Sequence, residues 1–241
     1  MSNTPKTIIV MPVANEADTM EQVVSQIFSH NFENLYYYPV IDDFSKDDTE
    51  KILRQKAAEN PNIKVIYYKE SRGVISCYLE GYRQALLDGA DRIIEMDGGG
   101  SHKPEELGQF IEKLDEGYDC VWGSRFISGG SISEQPLYRR ILSGGGTMLS
   151  NIVLGTKLKD MTSGFEAFQA DILRNLNLGA FLSTGHMYQT EMRFYCRNLN
   201  TIEVPIHYTG GSSSLKFKSV TEALRILFEL KKNEARIRNE D

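Results

Sequence analysis

With 241 residues and a formal net charge of −6, the chain is too acidic for general nucleic-acid binding. Its 41% hydrophobic and 25% charged residues describe a soluble globular protein, long enough to bury a core without staples. Cys77, Cys120 and Cys196 are odd in number and lack C-x-x-C spacing, and His30, His102, His186 and His207 lack ligand spacing. Reduced core thiols are expected, and a cysteine or histidine metal site is not.

Thr7 to Met11 reads as a fully buried strand ended by Pro12. The apolar run Ile8 to Val13 is too short for a signal-peptide core. No stretch approaches the roughly 18 apolar residues that span a bilayer. The expectation is a cytoplasmic protein, or one peripheral to a membrane. Asn15 is placed to cap the next helix, with Asp18 three residues on, and Met20, Val23, Val24, Ile27 and Phe28 recur at helical spacing. Tyr36 to Ile41 forms a second strand that delivers Asp42 and Asp43. Ser45-Lys46-Asp47-Asp48 repeats the cap-and-acid pattern ahead of a helix through Ile52, Leu53 and Lys56. Ile63 to Tyr68 is a third strand. Gly73 opens a helix with Ile75, Leu79, Tyr82 and Leu86 on its apolar face, and Gly89 ends it. Arg92 to Met96 is a fourth strand. Such alternation predicts an α/β fold with a mostly parallel central sheet flanked by helices.

The second half is less regular. A short helix starts at Pro104 and runs through Leu114, and Tyr118 to Trp122 is a strand ending in Gly123-Ser124-Arg125. Residues 128–137, rich in Gly, Ser and Pro, read as a mobile loop. Tyr138 to Leu154 is amphipathic, with glycines 144–146 interrupting it. A strand is expected at Phe165 to Phe168, a helix at Met187 to Leu199 and an edge strand at Thr201 to Tyr208, where Pro205 disfavours a central place. The last helix carries Val220, Leu224, Leu227 and Phe228 as a stripe that reads as core packing. No linker divides the chain. A single domain is expected, with a nucleotide-binding half over 6–100, an acceptor-binding half over 101–228 and a charged tail over 229–241.

The chemistry concentrates at strand ends. P-loop, G-x-G-x-x-G and G-x-S-x-G spacings are absent. Glu16, Asp42 with Asp43, and Asp97 instead follow three strands that share a direction, and so converge on one sheet edge. Asp97 is followed by Gly98, Gly99 and Gly100, which let a bulky group approach the backbone. Carboxylates beside a glycine-rich edge suit a nucleoside diphosphate held through a divalent cation, Mg²⁺ or Mn²⁺.

Pro12-Val13-Ala14-Asn15-Glu16, Ile41-Asp42-Asp43-Phe44-Ser45-Lys46-Asp47-Asp48-Thr49 and Met96-Asp97-Gly98-Gly99 resemble, in order, the signatures of family 2 glycosyltransferases with the GT-A fold, a Rossmann-like fold. Gly123-Ser124-Arg125-Phe126, the Arg139-Arg140 pair before Ser143, Asp160-Met161-Thr162-Ser163-Gly164-Phe165 and Val204-Pro205-Ile206 are similar to dolichyl-phosphate mannosyltransferases and their bacterial polyprenyl-phosphate relatives. The resemblance implies inverting transfer from a nucleotide-diphosphate sugar (GDP-mannose-like or a UDP-sugar) to a polyprenyl-phosphate-type acceptor. It places Pro12, Ala14 and Glu16 around the nucleoside, Asp43 on the base or ribose, and Asp97, Gly98 and Gly99 at the diphosphate. Arg125, Arg139 and Ser143 would meet donor and acceptor phosphates, and Lys216 would close over the site. Glu191 stands where relatives have a carboxylate near the acceptor; it is either a general base or an early-helix acid favoured by the dipole.

This chain departs from the family's pattern where a second aspartate usually stands, since Gly99 is there, and Ser101 replaces a frequent glutamine. The metal would then be held by Asp97 and Ser101 with waters and donor phosphates. His102 is expected to point elsewhere, because Pro104 begins a helix beside it. In the late loop, Gly210 and Gly211 stand near the place of a family arginine. The alternatives are transfer to a saccharide or other hydroxyl acceptor, and a nucleotide-sugar-binding subunit without catalysis. A lipid acceptor leaves a membrane-protein partner or a homo-oligomer open.

Overall fold

A computed structural model describes residues 4–70, 73–133, 137–183, 185, 187–210 and 217–232. Its first half follows the hydrophobic pattern closely. The strands are β1 (Thr7–Val13), β2 (Leu35–Asp42), β3 (Ile66–Tyr68) and β4 (Arg92–Glu95), alternating with α1 (Ala17–Ser29), α2 (Thr49–Glu59) and α3 (Val74–Leu87). The second half adds α4 (Leu107–Asp115), β5 (Cys120–Ser124), β6 (Ser131–Ser133), α5 (Leu137–Leu154), β7 (Glu166–Gln169), α6 (Ala170–Arg174), α7 (Tyr188–Tyr195), β8 (Thr201–Pro205), β9 (His207–Thr209) and α8 (Phe217–Lys232).

Seven strands form one sheet in the order β3-β2-β1-β4-β7-β5-β8. All pairings are parallel except those of β7, which runs antiparallel between β4 and β5. β1 is buried on both faces, and its alternate residues feed two cores. Ile8 and Val10 pack with Tyr78 and Tyr82 of α3, Met192 of α7 and Leu230 of α8. Ile9 and Met11 pack with Val24 of α1, Leu53 of α2 and Phe110 of α4. Burial on both sides explains why these strands read as continuous apolar runs rather than alternating ones. The three cysteines are free and buried, as reduced core thiols would be.

Several elements differ from expectation. β1 continues through Pro12 to Val13. β3 is regular only over Ile66–Tyr68, with Ile63 reduced to an isolated bridge to Tyr37. The loop over 128–137 contains β6, which pairs in parallel with β9 in a small second sheet. α5 is continuous across Gly144, Gly145 and Gly146. α7 ends at Tyr195, short of the expected Leu199. β8 does lie at the sheet edge, as Pro205 foretold. Of the stripe expected on α8, Leu227 is buried, Leu224 and Phe228 are exposed, and the side chain of Val220 lies outside the described residues; Ile226 and Leu230 are buried instead.

Candidate functional site

The site lies where β1, β2 and β4 end together. Asn15 takes a left-handed conformation (φ 56°), turning the chain after β1. Its N–H donates to Ser45 Oγ at 3.1 Å, and its Oδ1 accepts the Lys46 N–H at 2.8 Å. The Glu16 N–H donates to Thr49 Oγ1 at 2.8 Å. Asn15 therefore does not cap α1. Asp47 does that work from the neighbouring loop: Oδ2 accepts the Ala17 N–H at 3.0 Å, while Oδ1 accepts the Thr49 N–H at 3.0 Å. One carboxylate thus satisfies the first turns of two helices. Hydrogen bonds from Thr49 hold its carboxyl below the usual aspartate range.

Asp42 is buried, its Oδ1 accepting the Phe44 N–H at 2.9 Å, whereas Asp43 is exposed and accepts the Tyr67 hydroxyl at 3.1 Å. Pro12 is buried in β1, Ala14 is half-buried, and Gly98 is packed on the β1 backbone. A Cβ at Gly98 would lie 2.6 Å from the Pro12 carbonyl oxygen, so only glycine fits this approach.

Asp97 is held from two sides. The Tyr78 hydroxyl, from α3, donates to Asp97 Oδ1 at 2.9 Å and lies 3.0 Å from the Met96 carbonyl. The Asp97 N–H donates to His102 Nδ1 at 3.1 Å, and His102 Nε2 lies 3.6 Å from Asp97 Oδ2. His102 therefore points back at Asp97, contrary to the sequence expectation. The helical turn at Pro104 begins only after the chain has folded over, with the imidazole stacked on Phe165 at 5.0 Å. Because Nδ1 accepts a hydrogen bond, the neutral ring carries its hydrogen on Nε2. That tautomer aims a donor, not a ligand lone pair, at the carboxylate. Burial holds the imidazole pKa below its usual range. Ser101 is buried beside it, and its carbonyl accepts the Thr209 N–H at 3.1 Å. A cleft of about 580 Å³ opens here, lined among others by Thr19, Gln26, Gly99, Gly100 and Thr209.

Beneath Asp97 lies a buried polar layer. Glu95 and Glu166 face each other across β4 and β7. Tyr82 bonds Glu95, Arg193 bonds Glu166, and the Arg193 guanidinium sits 4.9 Å from the Trp122 ring. Burial pushes Glu95 well above the usual carboxylate range, with Glu166 adding to it. Burial also raises Glu166 to about 7, against the pull of Arg193. The unfolded chain, with ordinary glutamates at 4.5, binds fewer protons than the native one up to about pH 7. Stability should therefore fall as pH rises through that window. Glu95→Gln keeps an acceptor for Tyr82 and removes one of the two acids. It is expected to flatten this dependence and raise Tm at pH 8 by about 2–4 °C in thermal melts. A lower Tm at pH 8 would refute the assignment.

Arg125 follows β5 and does not present a free fork. Its Nε and a terminal nitrogen donate to the two oxygens of Asp160 at 2.7 and 2.8 Å, and the latter also reaches Thr162 Oγ1 at 2.6 Å. Asp160 is fully buried. Glu191 is fully buried too, and its oxygens accept the Leu182 and Ser183 N–H groups, each at 2.8 Å. It braces the loop before α7 and does not offer a base to solvent. Ser143 is half-buried on α5. Arg139 lies one turn before it, but its side chain is outside the described residues, as is Lys216 altogether. Sequence reasoning missed Tyr78, whose spacing from Tyr82 marked only a core face, and Asp160, which stood in a motif without an assigned role.

The matching family model is that of Glycosyl transferase family 2, over residues 8–176. Undecaprenyl-phosphate mannosyltransferase of Micrococcus luteus is 32% identical over 224 residues, covering 91% of each chain. Polyprenol monophosphomannose synthase of Mycolicibacterium smegmatis is 30% identical over 227 residues, covering 92% of this chain and 85% of that one. Among solved structures, a mannosyltransferase from Pyrobaculum calidifontis in complex with GDP-Man and Mn²⁺ is similar at a TM-score of 0.61 and 16% identity, over 97% of this chain and 65% of that one. Glucosyl-3-phosphoglycerate synthase from Mycobacterium tuberculosis reaches 0.66 at 15% identity, over 95% of this chain and 80% of that one. At such identity these structures speak for the fold. The chain belongs to glycosyl transferase family 2 and is a glycosyltransferase with the GT-A fold.

Proposed function

We propose that this enzyme transfers a sugar, with inversion, from a nucleoside-diphosphate sugar to a polyprenyl-phosphate acceptor. The observation that carries the reading is the carboxylate of Asp97, held at the sheet's carboxyl edge with Oδ1 on Tyr78 and its side chain 37% exposed. The relatives named for polyprenyl-phosphate mannosyl transfer align over nine-tenths of the chain and favour mannose as the sugar transferred.

The residues at Asp97 fit a divalent cation. Oxygen donors dominate, and the tautomer of His102 keeps a nitrogen ligand away. Mg²⁺ commonly takes one or two protein carboxylates and completes its shell with substrate phosphates. When bound, the cation neutralises charge on the departing diphosphate. Asp97 would hold it, Ser101 would lie beside it, and Pro12, Ala14, Glu16 and Asp43 would line the nucleoside. Gly98 and Gly99 leave room for the phosphates. Arg139 and Ser143, one turn apart on α5, would meet the acceptor phosphate. Arg125 serves that region through the loop it fixes with Asp160. An acceptor phosphate oxygen attacks the anomeric carbon as the bond to the diphosphate breaks. A phosphate is already ionised, so no strong base is required, which agrees with the occupied oxygens of Glu191.

No described helix is long and apolar enough to cross a membrane. Met148 and Ile152 of α5 and Phe228 of α8 are each about two-thirds exposed, on helices that pack together. These exposed apolar side chains support a place at the membrane surface, where a lipid acceptor would lie. Replacing Ile152 and Phe228 with Asp is expected to cut co-sedimentation with polyprenyl-phosphate vesicles at least about tenfold, since burying an ionised side chain is costly. Unchanged co-sedimentation would overturn the placement. The decisive test of function is product formation from GDP-mannose and UDP-sugars with a polyprenyl phosphate, with Mg²⁺ or Mn²⁺. Transfer to saccharides alone, or to no acceptor, would refute the reading.

A further inference from the structure

We propose that Glu16 supplies the second carboxylate of the cation site, occupying the space a side chain at position 99 would fill. This rests on the cation reading of Asp97 given above. The three atoms nearest a Cβ built on Gly99 all belong to the Glu16 carboxyl group: Oε1 at 3.3 Å, Oε2 at 3.7 Å and Cδ at 3.8 Å. Gly99 is outside the left-handed region, so its backbone does not require glycine. The vacancy at position 99 is matched by the neighbouring side chain rather than by a turn.

Glu16 is fixed for such a role. Its N–H is tied to Thr49, its carbonyl accepts the Thr19 and Met20 N–H groups, and the flanking residues are sewn to the loop after β2. These bonds set the backbone from which the carboxylate projects. On the opposite side of Asp97, the buried His102 Nε2 lies 3.6 Å from Oδ2 and turns an N–H toward it. A divalent cation between the Glu16 and Asp97 carboxylates would offset their mutual repulsion. Two carboxylates from different strand ends, rather than two from one loop, would then share the ion with the donor phosphates.

The experiment is calorimetric titration of GDP and of UDP, each with and without Mn²⁺, backed by Mn²⁺ binding followed by electron paramagnetic resonance. In the wild type, Mn²⁺ should tighten nucleotide binding. In Glu16→Gln that gain should shrink about tenfold or more, the scale on which metal sites respond to lost support. Adding Gly99→Asp to Glu16→Gln returns a carboxylate to the same space and should restore the gain. If Glu16→Gln weakens metal-free binding while leaving the Mn²⁺ gain intact, Glu16 serves only the nucleoside and the proposal falls. Failure of the double variant to recover any gain also overturns it. A wild type with no Mn²⁺ gain for either nucleotide would sink the cation reading itself, a result distinct from the other two.

Discussion

Asp97→Asn is expected to lower kcat for sugar transfer by about 10²–10³-fold, the scale seen when a preorganised charge-stabilising group is removed. The substitution is nearly isosteric. Asn can keep an oxygen toward the Tyr78 hydroxyl and its own N–H on His102 Nδ1, so the local fold has no reason to change. What disappears is the negative charge at the partly exposed Oδ2. Nucleotide binding without metal should therefore persist, and the Mn²⁺-dependent gain should vanish. A variant that still transfers sugar with wild-type metal dependence would remove Asp97 from the site. Loss of activity with a depressed Tm would point to a structural role instead.

Asp160→Ala is expected to destabilise the protein by about 3–5 kcal/mol, the range for breaking a buried ion pair by removing one partner. That is a large share of a total stability of about 5–15 kcal/mol. The guanidinium of Arg125 would be left buried, without a carboxylate and with Thr162 accepting its hydrogen bond. The loop over 159–162 would also lose two N–H acceptors, since Asp160 Oδ2 takes the Arg125 N–H and Oδ1 takes the Thr162 N–H. Replacing both partners with apolar residues, Arg125→Met with Asp160→Leu, should recover much of the stability, because no charge is then stranded. Activity should not return with it, since the loop loses its template. Chemical denaturation and transfer assays on the same variants separate the two effects. Equal stability of the single and double variants would refute the pairing argument.

The two buried charge systems respond to pH with opposite signs. Burial opposes ionisation of Asp160, yet Arg125 outweighs it and holds the carboxyl below the usual 3.8. Its contribution is complete above that value and is lost as pH falls through the folded pKa. Glu95 and Glu166 are raised, and their cost grows as pH rises toward 7. Acidification from neutral pH should therefore first stabilise the protein and only at low pH unfold it.

What the sequence determined by itself was local and periodic. The apolar runs of β1, β2 and β4 and the helical spacing in α1 and α3 depend on neighbours a few residues away, so their order and direction could be read directly. From direction alone it followed that Glu16, Asp43 and Asp97 share one sheet edge. Burial on both faces of a parallel sheet made those runs unmistakable. The tertiary structure alone decided what joins residues distant in the chain. β7 enters the sheet antiparallel because its residues pair with two strands that precede it by dozens of positions. His102 turns toward Asp97 because Phe165, far along the chain, offers its ring a stacking surface. Arg125 is committed to Asp160, and Glu191 to the amides of Leu182 and Ser183, through folds no spacing records. Gly99 shows the division most plainly: the sequence marks a missing side chain, and only the fold puts the Glu16 carboxylate in its place.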